Sequence, residues 1–328
     1  MTFFKDKTVL VTGGTGTFGK AFVSDLIKNH DPKKVIVFSR DELKQFEMQE
    51  KISSNKLRFF LGDIRDYQRL IRATDGIDVV IHAAAMKQIP ASEYNPMEAI
   101  KTNVLGAENV VNVAIENGIE RVIALSTDKA ANPANLYGAT KLCSDKLMVA
   151  GNALSGKRRI KFSVVRYGNV LGSRGSVIPF FLERAKQGRI PITDERMTRF
   201  WLTLDDGVQF VLDSLEKMHG GEIFVPKIPS FKVTDVAKVV CPGVPTEVIG
   251  IRPGEKLHEV MITEDDSYNT FEFDSHYAIV APNSPSRAFY DSNAERVPEG
   301  FRYSSDNNKL WHSSSTFEAV LKENGILN

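Results

Sequence analysis

The first half of the chain alternates short apolar runs rich in β-branched residues with longer segments whose apolar positions recur at helical spacing. The apolar runs predict strands, and the segments between them predict helices. The predicted strands are 7–12, 35–39, 57–61, 79–82, 122–126 and 162–166. The predicted helices are one that ends near 29, then 41–51, 66–74, 99–117 and 137–153. Strands that alternate with helices predict an α/β fold with a doubly wound parallel sheet covered on both faces.

The second half of the chain has a less regular pattern. Residues 179–187 and 203–218 predict helices, and residues 223–225 predict a strand. From Pro226 onward proline is frequent, and because proline interrupts helices and central strands, the elements there should be short. In a chain of 328 residues this change of pattern predicts two domains. The larger domain would comprise 1–170 with a return of 203–226, and the smaller, also α/β, would comprise 171–202 and 227–328.

Composition and charge narrow the class of protein. The net charge of +1 argues against a dedicated nucleic-acid or anionic-membrane binder. No apolar stretch approaches the ~20 residues that would span a bilayer, and the N-terminus has no apolar signal-peptide core. Cys143 and Cys241 belong to no redox motif, and no His, Cys or Asp cluster has metal-ligand spacing. We expect a cytoplasmic protein with two free thiols and no metal.

A glycine-rich turn lies between the first predicted strand and the first predicted helix. Three glycines are spaced three apart, and the turn also satisfies G-x-G-x-x-G. Glycines let the backbone approach a pyrophosphate, whose charge meets free N–H groups at the start of the helix. Such turns also serve packing alone, but this one opens the first βαβ unit, so it predicts a Rossmann-type dinucleotide site. The predicted residues of this turn are Gly13, Thr15, Gly16, Thr17, Phe18 and Gly19.

The end of the second predicted strand bears on which dinucleotide would bind. An acidic residue there usually contacts the ribose 2′-hydroxyl of NAD, whereas an arginine can receive the 2′-phosphate of NADP. Arg40 is the first charged residue after the strand, which favours NADP. Asp41 follows it, so a surface Arg–Asp pair is the alternative. Further candidates at this edge, where small residues also suit helix–strand packing, are Ser39, Lys44, Asp63, Ile64, Ala83, Ala84 and Ala85.

Candidate chemistry follows the fifth predicted strand. Thr127, Asp128 and Lys129 end that strand, and Tyr137 and Lys141 lie on the next predicted helix. Positions i and i+4 share one helix face, so the charge of Lys141 would lower the pKa of the Tyr137 phenol and make it a usable base. Alone, Y-x-x-x-K is mostly accidental, and Asp128–Lys129 is an ordinary loop ion pair. After a dinucleotide turn the combination indicates a catalytic centre.

These motifs together resemble those of the extended short-chain dehydrogenase/reductases. Longer strings narrow the resemblance to the C5-inverting UDP-N-acetylglucosamine 4,6-dehydratases of the pseudaminic acid pathway. The first strings are FSRDELKQ at 38–45, STDKAANP at 126–133, NLYGATK at 135–141 and RYGNV at 166–170. The resemblance continues through GSRGSV at 172–177, TD at 193–194, MTRFW at 197–201, RPGEK at 252–256 and YSSDNN at 303–308.

The resemblance implies conversion of UDP-N-acetylglucosamine to UDP-2-acetamido-2,6-dideoxy-β-L-arabino-hexos-4-ulose and water, an NADP-dependent lyase reaction. Tyr137, assisted by Lys141, would take the C4 hydroxyl proton while hydride passes to NADP⁺. Lys129 would remove the C5 proton, Asp128 would protonate the departing 6-hydroxyl, and hydride would return to C6. Both Asp128 and Lys129 would then need pKa values near ~7, toward which burial would shift them, although their mutual attraction would oppose it.

The resemblance also implies a sugar-nucleotide site and a homo-oligomer, of which a hexamer is one form. It adds to the cofactor residues Lys87, Tyr137, Lys141 and Val170. The implied substrate residues are Lys87, Thr127, Asp128, Asn169, Arg174, Gly175, Ser176, Val177, Thr193, Arg199, Arg252 and Asn308. Without the resemblance, Lys87 and Arg252 would be ordinary surface charges, and residues 197–201 could equally be core.

Two other functions share part of this pattern. A UDP-sugar 4-epimerase has the cofactor turn and the Tyr–Lys pair, but it needs no base for C5 and no acid for the 6-hydroxyl. Asp128 and Lys129 therefore favour the dehydratase. The second alternative is a regulator that binds NADP without catalysis, against which the complete set of catalytic residue types argues.

Overall fold

The structure is a computed structural model that describes residues 3–171 and 177–327. Apolar runs rich in β-branched residues form the longer strands, as their pattern predicted. The strands are β1 (Thr8–Thr12), β2 (Lys34–Ser39), β3 (Leu57–Leu61), β4 (Val79–His82), β5 (Arg121–Thr127), β6 (Lys161–Tyr167), β7 (Asn169–Val170), β8 (Ile190–Ile192), β9 (Thr198–Leu202), β10 (Glu222–Pro226), β11 (Ser230–Lys232), β12 (Thr246–Val248), β13 (Val260–Ile262), β14 (Thr270–Glu272), β15 (His276–Val280), β16 (Glu295–Arg296) and β17 (Tyr303–Ser304).

The helices connect these strands, and several begin at side chains that cap them. They are α1 (Thr17–Asn29), α2 (Glu42–Lys51), α3 (Tyr67–Ala73), α4 (Ile89–Tyr94), α5 (Pro96–Ile100), α6 (Gly106–Asn117), α7 (Leu136–Leu154), α8 (Val177–Ala185), α9 (Leu204–Lys217), α10 (Val233–Val240), α11 (Arg287–Asn293) and α12 (Ser314–Glu323). Asp66 and Thr203 each accept a hydrogen bond from an N–H group in the first turn, of α3 and α9 respectively. Such caps satisfy N–H groups that the helix itself cannot.

Among the described residues, ten strands form one large sheet in the order β16-β14-β15-β10-β6-β5-β4-β1-β2-β3. Pairing is parallel from β3 to β10. Every residue of β1 and β4 is buried, and α1 and α6 contribute Phe22, Leu26 and Val110 to the core of the sheet. Strands buried in this way need continuous apolar runs. The doubly wound α/β fold predicted from the sequence is confirmed.

The strand order reverses between β1 and β4. From β1 the chain adds β2 and β3 on one side, and from β4 it adds β5 and β6 on the other. In doubly wound sheets, ligands bind at the carboxyl ends of the strands at such a switch point. The crevice is therefore expected beyond Thr12 and His82, the last residues of β1 and β4.

The helix predicted at 99–117 is interrupted by a π-helix at Lys101–Leu105, which joins α5 to α6. Asn103 is buried in this wider turn. Its amide accepts a hydrogen bond from the Met86 N–H (2.8 Å) and donates to the Met86 carbonyl (2.9 Å) and to the Thr140 hydroxyl (3.0 Å). The π-helical turn thus ties the loop after β4 to α7, and such turns are frequent at functional sites.

The large sheet extends further along the chain than the sequence predicted. Strands β14, β15 and β16 pair antiparallel beyond β10, so three strands within 270–296, a stretch that we expected in the smaller domain, extend this sheet. Every residue of β15 is buried and pairs with β10. The sequence analysis assigned none of these strands: β14 and β16 are too short to show a strand pattern, and the apolar run of β15 was not recognised as a strand.

A second, smaller apolar core lies beside the large one and includes side chains from α8, β8, α10 and α12. Trp201 lies at its centre, with its ring 4.3 Å from that of Phe231 and 4.8 Å from that of Phe317. Met197 and Trp201 are both buried. These two side chains therefore pack in the smaller core, which is the alternative that we considered for residues 197–201.

Candidate active site

A cavity of about 1490 Å³ opens at the carboxyl ends of the parallel strands, at the switch point between β1 and β4. Small-molecule sites usually measure ~300–1,000 Å³, so this cavity has room for a dinucleotide and a second ligand side by side. Its wall includes every residue predicted for the cofactor: Gly13, Thr15, Gly16, Thr17, Phe18, Gly19, Ser39, Arg40, Asp41, Lys44, Asp63, Ile64, Ala83, Ala84, Ala85, Lys87, Tyr137, Lys141 and Val170.

The glycine turn brings backbone to the cavity wall. Gly13 has φ +66°, and a β-carbon there would lie 2.8 Å from the Ala84 Cα, so only glycine allows this approach. The small residue at Ala84 therefore serves packing against the turn as well as lining the cavity. Helix α1 begins just after Gly16, which makes no side-chain cap, and this leaves N–H groups at the start of α1 for an anion.

The end of β2 carries an arginine that faces solvent. The Arg40 side chain is 57% exposed and lies 3.4 Å from Asp63. Asp41 caps α2 by accepting a hydrogen bond from the Lys44 N–H (3.0 Å), and it also pairs with the Lys44 ammonium group. The carboxylate of Asp41 thus has partners within α2, whereas the guanidinium of Arg40 remains open to an incoming phosphate.

A short turn and the first turn of α7 bring the predicted catalytic residues together. Thr127 ends β5, and Asp128 and Lys129 follow in a 3₁₀ turn. Helix α7, which carries Tyr137, packs directly on that turn. A β-carbon on Gly138 would lie 2.2 Å from the Lys129 carbonyl oxygen. This glycine therefore lets the helix and the turn touch, and it fixes Tyr137 relative to Lys129.

Asp128 is fully buried just behind the cavity wall. Its Oδ1 accepts hydrogen bonds from the Thr127 hydroxyl (2.8 Å) and the Lys129 ammonium group (3.0 Å). Burial, with the nearby Glu259 carboxylate, raises the pKa of Asp128 above its usual range. An acid that keeps its proton near neutral pH can donate it to a leaving group.

Lys129 has a second carboxylate partner that the sequence analysis did not include. Its Nζ lies 3.3 Å from Glu259 Oε1. Burial lowers the pKa of Lys129, but the carboxylates of Asp128 and Glu259 outweigh this effect, so the pKa is raised. We predicted a pKa shifted down toward neutrality. In the protein without substrate that prediction is wrong, because two carboxylates favour the ammonium form.

Tyr137 and Lys141 are both enclosed at the same wall. Burial raises the pKa of Tyr137 to about 12, although the Lys129 charge and a hydrogen bond with Thr127 act in the opposite direction. The predicted lowering of this pKa is therefore wrong for the protein alone, because burial disfavours the phenolate more than neighbouring groups favour it. Burial also lowers the pKa of Lys141, against the attraction of Asp145.

Most of the residues implied for the substrate lie around the same cavity. Those at its wall are Lys87, Thr127, Asn169, Val177, Thr193, Arg199 and Arg252. Arg174, Gly175 and Ser176 lie outside the described residues. Arg199 donates hydrogen bonds to the carbonyls of Thr198 (2.7 Å) and Lys256 (3.0 Å), so several of its N–H groups are already bonded to backbone.

Asn308 is placed differently from the other implied substrate residues. It is not among the described residues at the cavity wall. Its amide donates to the carbonyls of Ile228 (2.8 Å) and Leu310 (2.9 Å), so it holds two loops together. Its assignment to the substrate stays a prediction, although its amide donors are engaged by backbone carbonyls in this structure.

Comparison with known proteins gives the family. Residues 9–281 match the family model described as polysaccharide biosynthesis protein. The chain belongs to this family. It is 55% identical to the UDP-N-acetylglucosamine 4,6-dehydratase (inverting) of Campylobacter jejuni subsp. jejuni serotype O:2, over 97% of the chain and 98% of that relative. This similarity confirms the resemblance identified from the motifs.

Other proteins that are similar to this chain bear different names. The chain is 44% identical to the UDP-glucose 4-epimerase of Rickettsia prowazekii, over 84% of the chain and 83% of that relative. The X-ray structure of Pen from Bacillus thuringiensis superimposes with a TM-score of 0.91 at 38% identity, over 99% of the chain and 100% of the other. None of the described helices combines the length and the apolar character that crossing a bilayer requires.

Two buried acids at the site of this polysaccharide biosynthesis protein were missed from the sequence. Glu259 lies beyond the RPGEK string and directly before β13, and the available signal was an acidic residue at the start of an apolar run. Asp145 lies one turn beyond Lys141 on α7. Its Oδ2 accepts from the Ser126 hydroxyl (2.8 Å) and lies 3.4 Å from the Arg166 guanidinium, so helical spacing from Lys141 could have identified it.

The contact between α7 and the catalytic turn makes a testable prediction. Gly138→Ala should lower the free energy of unfolding by about 1–3 kcal/mol, because the new methyl group overlaps the Lys129 carbonyl and the helix must move. Denaturant unfolding measures this change. The matched control is Gly207→Ala in α9, whose β-carbon would meet Leu202 Cδ1 at an ordinary 3.4 Å. Equal stability of the two variants would contradict the contact.

Proposed function

We propose that this protein is a C5-inverting UDP-N-acetylglucosamine 4,6-dehydratase, an NADP-dependent hydro-lyase. The observation that carries the proposal is the pair formed by Asp128 and Lys129, whose carboxyl and amine groups lie 3.0 Å apart beside the cavity. Dehydration across C5 and C6 needs one group that accepts a proton and another that donates one. The Campylobacter jejuni relative, which is 55% identical to this chain and is named for that activity, supports the proposal.

The cavity fits a nicotinamide dinucleotide, and the fit rests on the bare backbone at Gly13 and the open start of α1. The pyrophosphate would lie on this turn. Arg40 would contact a 2′-phosphate, which favours NADP over NAD. When bound, the nicotinamide supplies hydride chemistry, accepting hydride from C4 of the sugar and returning it to C6.

Tyr137 would remove the proton from the C4 hydroxyl, since it lies at the cavity wall and shares a hydrogen bond with Thr127. Its raised pKa must fall for this step, and a positive charge beside the phenol has that effect. Lys141 supplies one such charge from the same face of α7. The resulting 4-ketone makes the hydrogen on C5 acidic.

Lys129 would take the C5 proton, and Asp128 would give its proton to the oxygen that leaves C6 as water. The raised pKa of Asp128 suits this role directly. Lys129 must first lose a proton, and a bound sugar that excludes water would favour its neutral form, because a charge away from water is disfavoured. A proton added to C5 from the opposite face would invert that carbon.

The remaining parts of the proposal concern the substrate site and the assembly. We propose that the large sheet holds the dinucleotide and that the smaller core, through Val177, Thr193 and Arg252, holds the UDP-sugar. Arg252 suits the diphosphate because a guanidinium binds phosphate oxygens in pairs. A cytoplasmic homo-oligomer completes the proposal, on the strength of the resemblance.

Incubation of the protein and NADP⁺ with UDP-N-acetylglucosamine in deuterated water tests the reaction. We expect the product to lose the mass of one water and to carry deuterium at C5, with inversion seen by NMR. A UDP-sugar 4-epimerase, the function that the Rickettsia relatives favour by name, would give an isomer of unchanged mass. That result would replace the proposed function.

The role of Lys129 has its own test. Lys129→Ala should lower the rate of C5 deuterium incorporation by about 10²-fold or more, as expected when a general base is lost. Lys146→Ala, at an exposed position of the same helix that carries Tyr137, is the matched control and should leave the rate unchanged. If Lys129→Ala keeps the rate of the unmodified protein, Lys129 is not the base.

The preference for NADP depends on Arg40. Arg40→Ala should weaken binding of NADP by about 10-fold or more, because one charge-assisted contact with the 2′-phosphate is lost. Binding of NAD, which lacks that phosphate, serves as the control and should not change. Calorimetric titration of both dinucleotides measures the effect. A parallel loss for NAD and NADP would show that Arg40 does not read the 2′-phosphate.

A further inference from the structure

Glu259 is held rigidly between two cations. Its side chain is 3% exposed, and Oε1 lies 3.3 Å from Lys129 Nζ and 3.6 Å from Arg199 Nε. Its backbone is fixed as well: the Glu259 N–H donates to the Ser305 hydroxyl (3.0 Å), and the Ser305 N–H donates to the Glu259 carbonyl (2.8 Å). The Ser305 hydroxyl also bonds that of Thr198 (2.7 Å). This carboxylate therefore has little freedom to move.

One oxygen of each acid in this cluster is left over. Among the described residues, Glu259 Oε2 and Asp128 Oδ2 are buried and have no hydrogen-bond partner. A buried polar atom without a partner costs stability. Glu259 also lines the cavity, so a carboxylate whose burial destabilises the fold lies at the point where the chemistry would occur.

We infer that Glu259 is a positioning residue for the dehydration steps, and that its carboxylate holds the Lys129 amine at the cavity wall next to the Asp128 carboxyl group. This inference rests on the proposed function, because it assigns Glu259 to the same two groups. It goes beyond that function by making the cluster a triad of one amine and two unequal carboxyls. Glu259 itself need not touch the substrate.

The charges that face Glu259 explain why the two carboxyls differ. Lys129 and Asp128 face it from the 3₁₀ turn, Arg199 from β9 and Lys256 from the segment before β13. Burial alone would raise the pKa of Glu259, but the three cations outweigh it and lower that pKa, whereas the pKa of Asp128 is raised. These directions favour the negative charge on Glu259 and the proton on Asp128.

Removing this charge has a definite sign. A nearby carboxylate disfavours ionisation of Asp128 and favours the ammonium form of Lys129, so it raises the pKa of both. Glu259→Gln keeps the size of the side chain and an oxygen for Lys129 but removes the charge. Both pKa values should then fall, and both limbs of the pH–rate profile should move to lower pH.

The experiment measures the pH dependence of dehydration and the titration of Lys129 in the full-length protein. In Glu259→Gln the optimum should move down by about 1–3 pH units, the usual effect of a charge at this distance. At the optimum of the unmodified protein the rate should fall at least ~10-fold, since Asp128 would have lost its proton there. The KM for the sugar nucleotide should be unchanged.

Two further variants separate charge from position. Glu259→Asp keeps the charge but withdraws the carboxylate by one methylene group, so the rate should fall while the optimum stays in place. Glu272→Gln makes the same change at an exposed glutamate of β14 that pairs with Lys227 (2.7 Å). It is the matched control and should change neither quantity.

Titration of the ¹³Cε resonance of Lys129, assigned by its loss in Lys129→Arg, makes the result independent of turnover. Its midpoint should fall in Glu259→Gln. An unchanged midpoint and an unchanged optimum would overturn the inference. If Glu259→Gln does not fold, a full rate or a displaced optimum in Glu259→Asp overturns it instead. Absence of dehydration by the unmodified protein would end the proposed function, and the Lys129 midpoint would still decide the role of Glu259.

Discussion

The active site depends on one partly buried ammonium group that lies between two carboxyl groups. Lys129 lies 3.0 Å from Asp128 and 3.3 Å from Glu259, and burying any one of these groups alone would cost several kcal/mol. The opposite charges compensate one another when they are buried together. This requires that the end of β5 and the segment before β13 lie next to each other. The geometry of the cluster therefore constrains how the two halves of the chain pack. If the catalytic turn and the segment before β13 separated, the charges of Lys129 and Glu259 would no longer compensate each other.

Two direct bonds reinforce that arrangement. The Asn135 amide, which caps α7 through its oxygen, donates to the Gly254 carbonyl (2.8 Å). The Lys256 ammonium group donates to the Ala131 carbonyl (2.7 Å). Both bonds link the loop at 252–256, whose Arg252 would bind the substrate diphosphate, to the catalytic turn and to α7. If a ligand displaces this loop, the two hydrogen bonds would transmit the movement directly to the catalytic turn.

The sequence predicted those parts of the molecule in which the local pattern and the tertiary environment agree. The glycine turn and the strands up to 166 are such parts, because strands buried on both faces require continuous apolar runs. It did not assign the strands within 270–296 that join the large sheet: β14 and β16 have only two or three residues and carry no readable period, and the five-residue run of β15 was not recognised as a strand. It also missed Glu259, because the contact with Lys129 joins positions far apart in the chain. The pKa of Lys129 was predicted with the wrong sign because the attraction of Asp128 was weighed too lightly against burial, and because the second carboxylate, Glu259, was not included.

The π-helical turn at Lys101–Leu105 has a consequence for how this chain tolerates insertions and deletions. One residue added to an α-helix turns everything after it by about 100° around the axis, since 3.6 residues complete a turn. The buried face of α6 is thus aligned with that of α5 only because the extra residue is accommodated here. Removal of one residue from this turn would restore regular α-helix with Val110 and Ala114 still directed toward the core, but it would remove the wider turn that places Asn103 between the loop after β4 and α7. The length of this segment is therefore specified by that contact and not by the packing of α6.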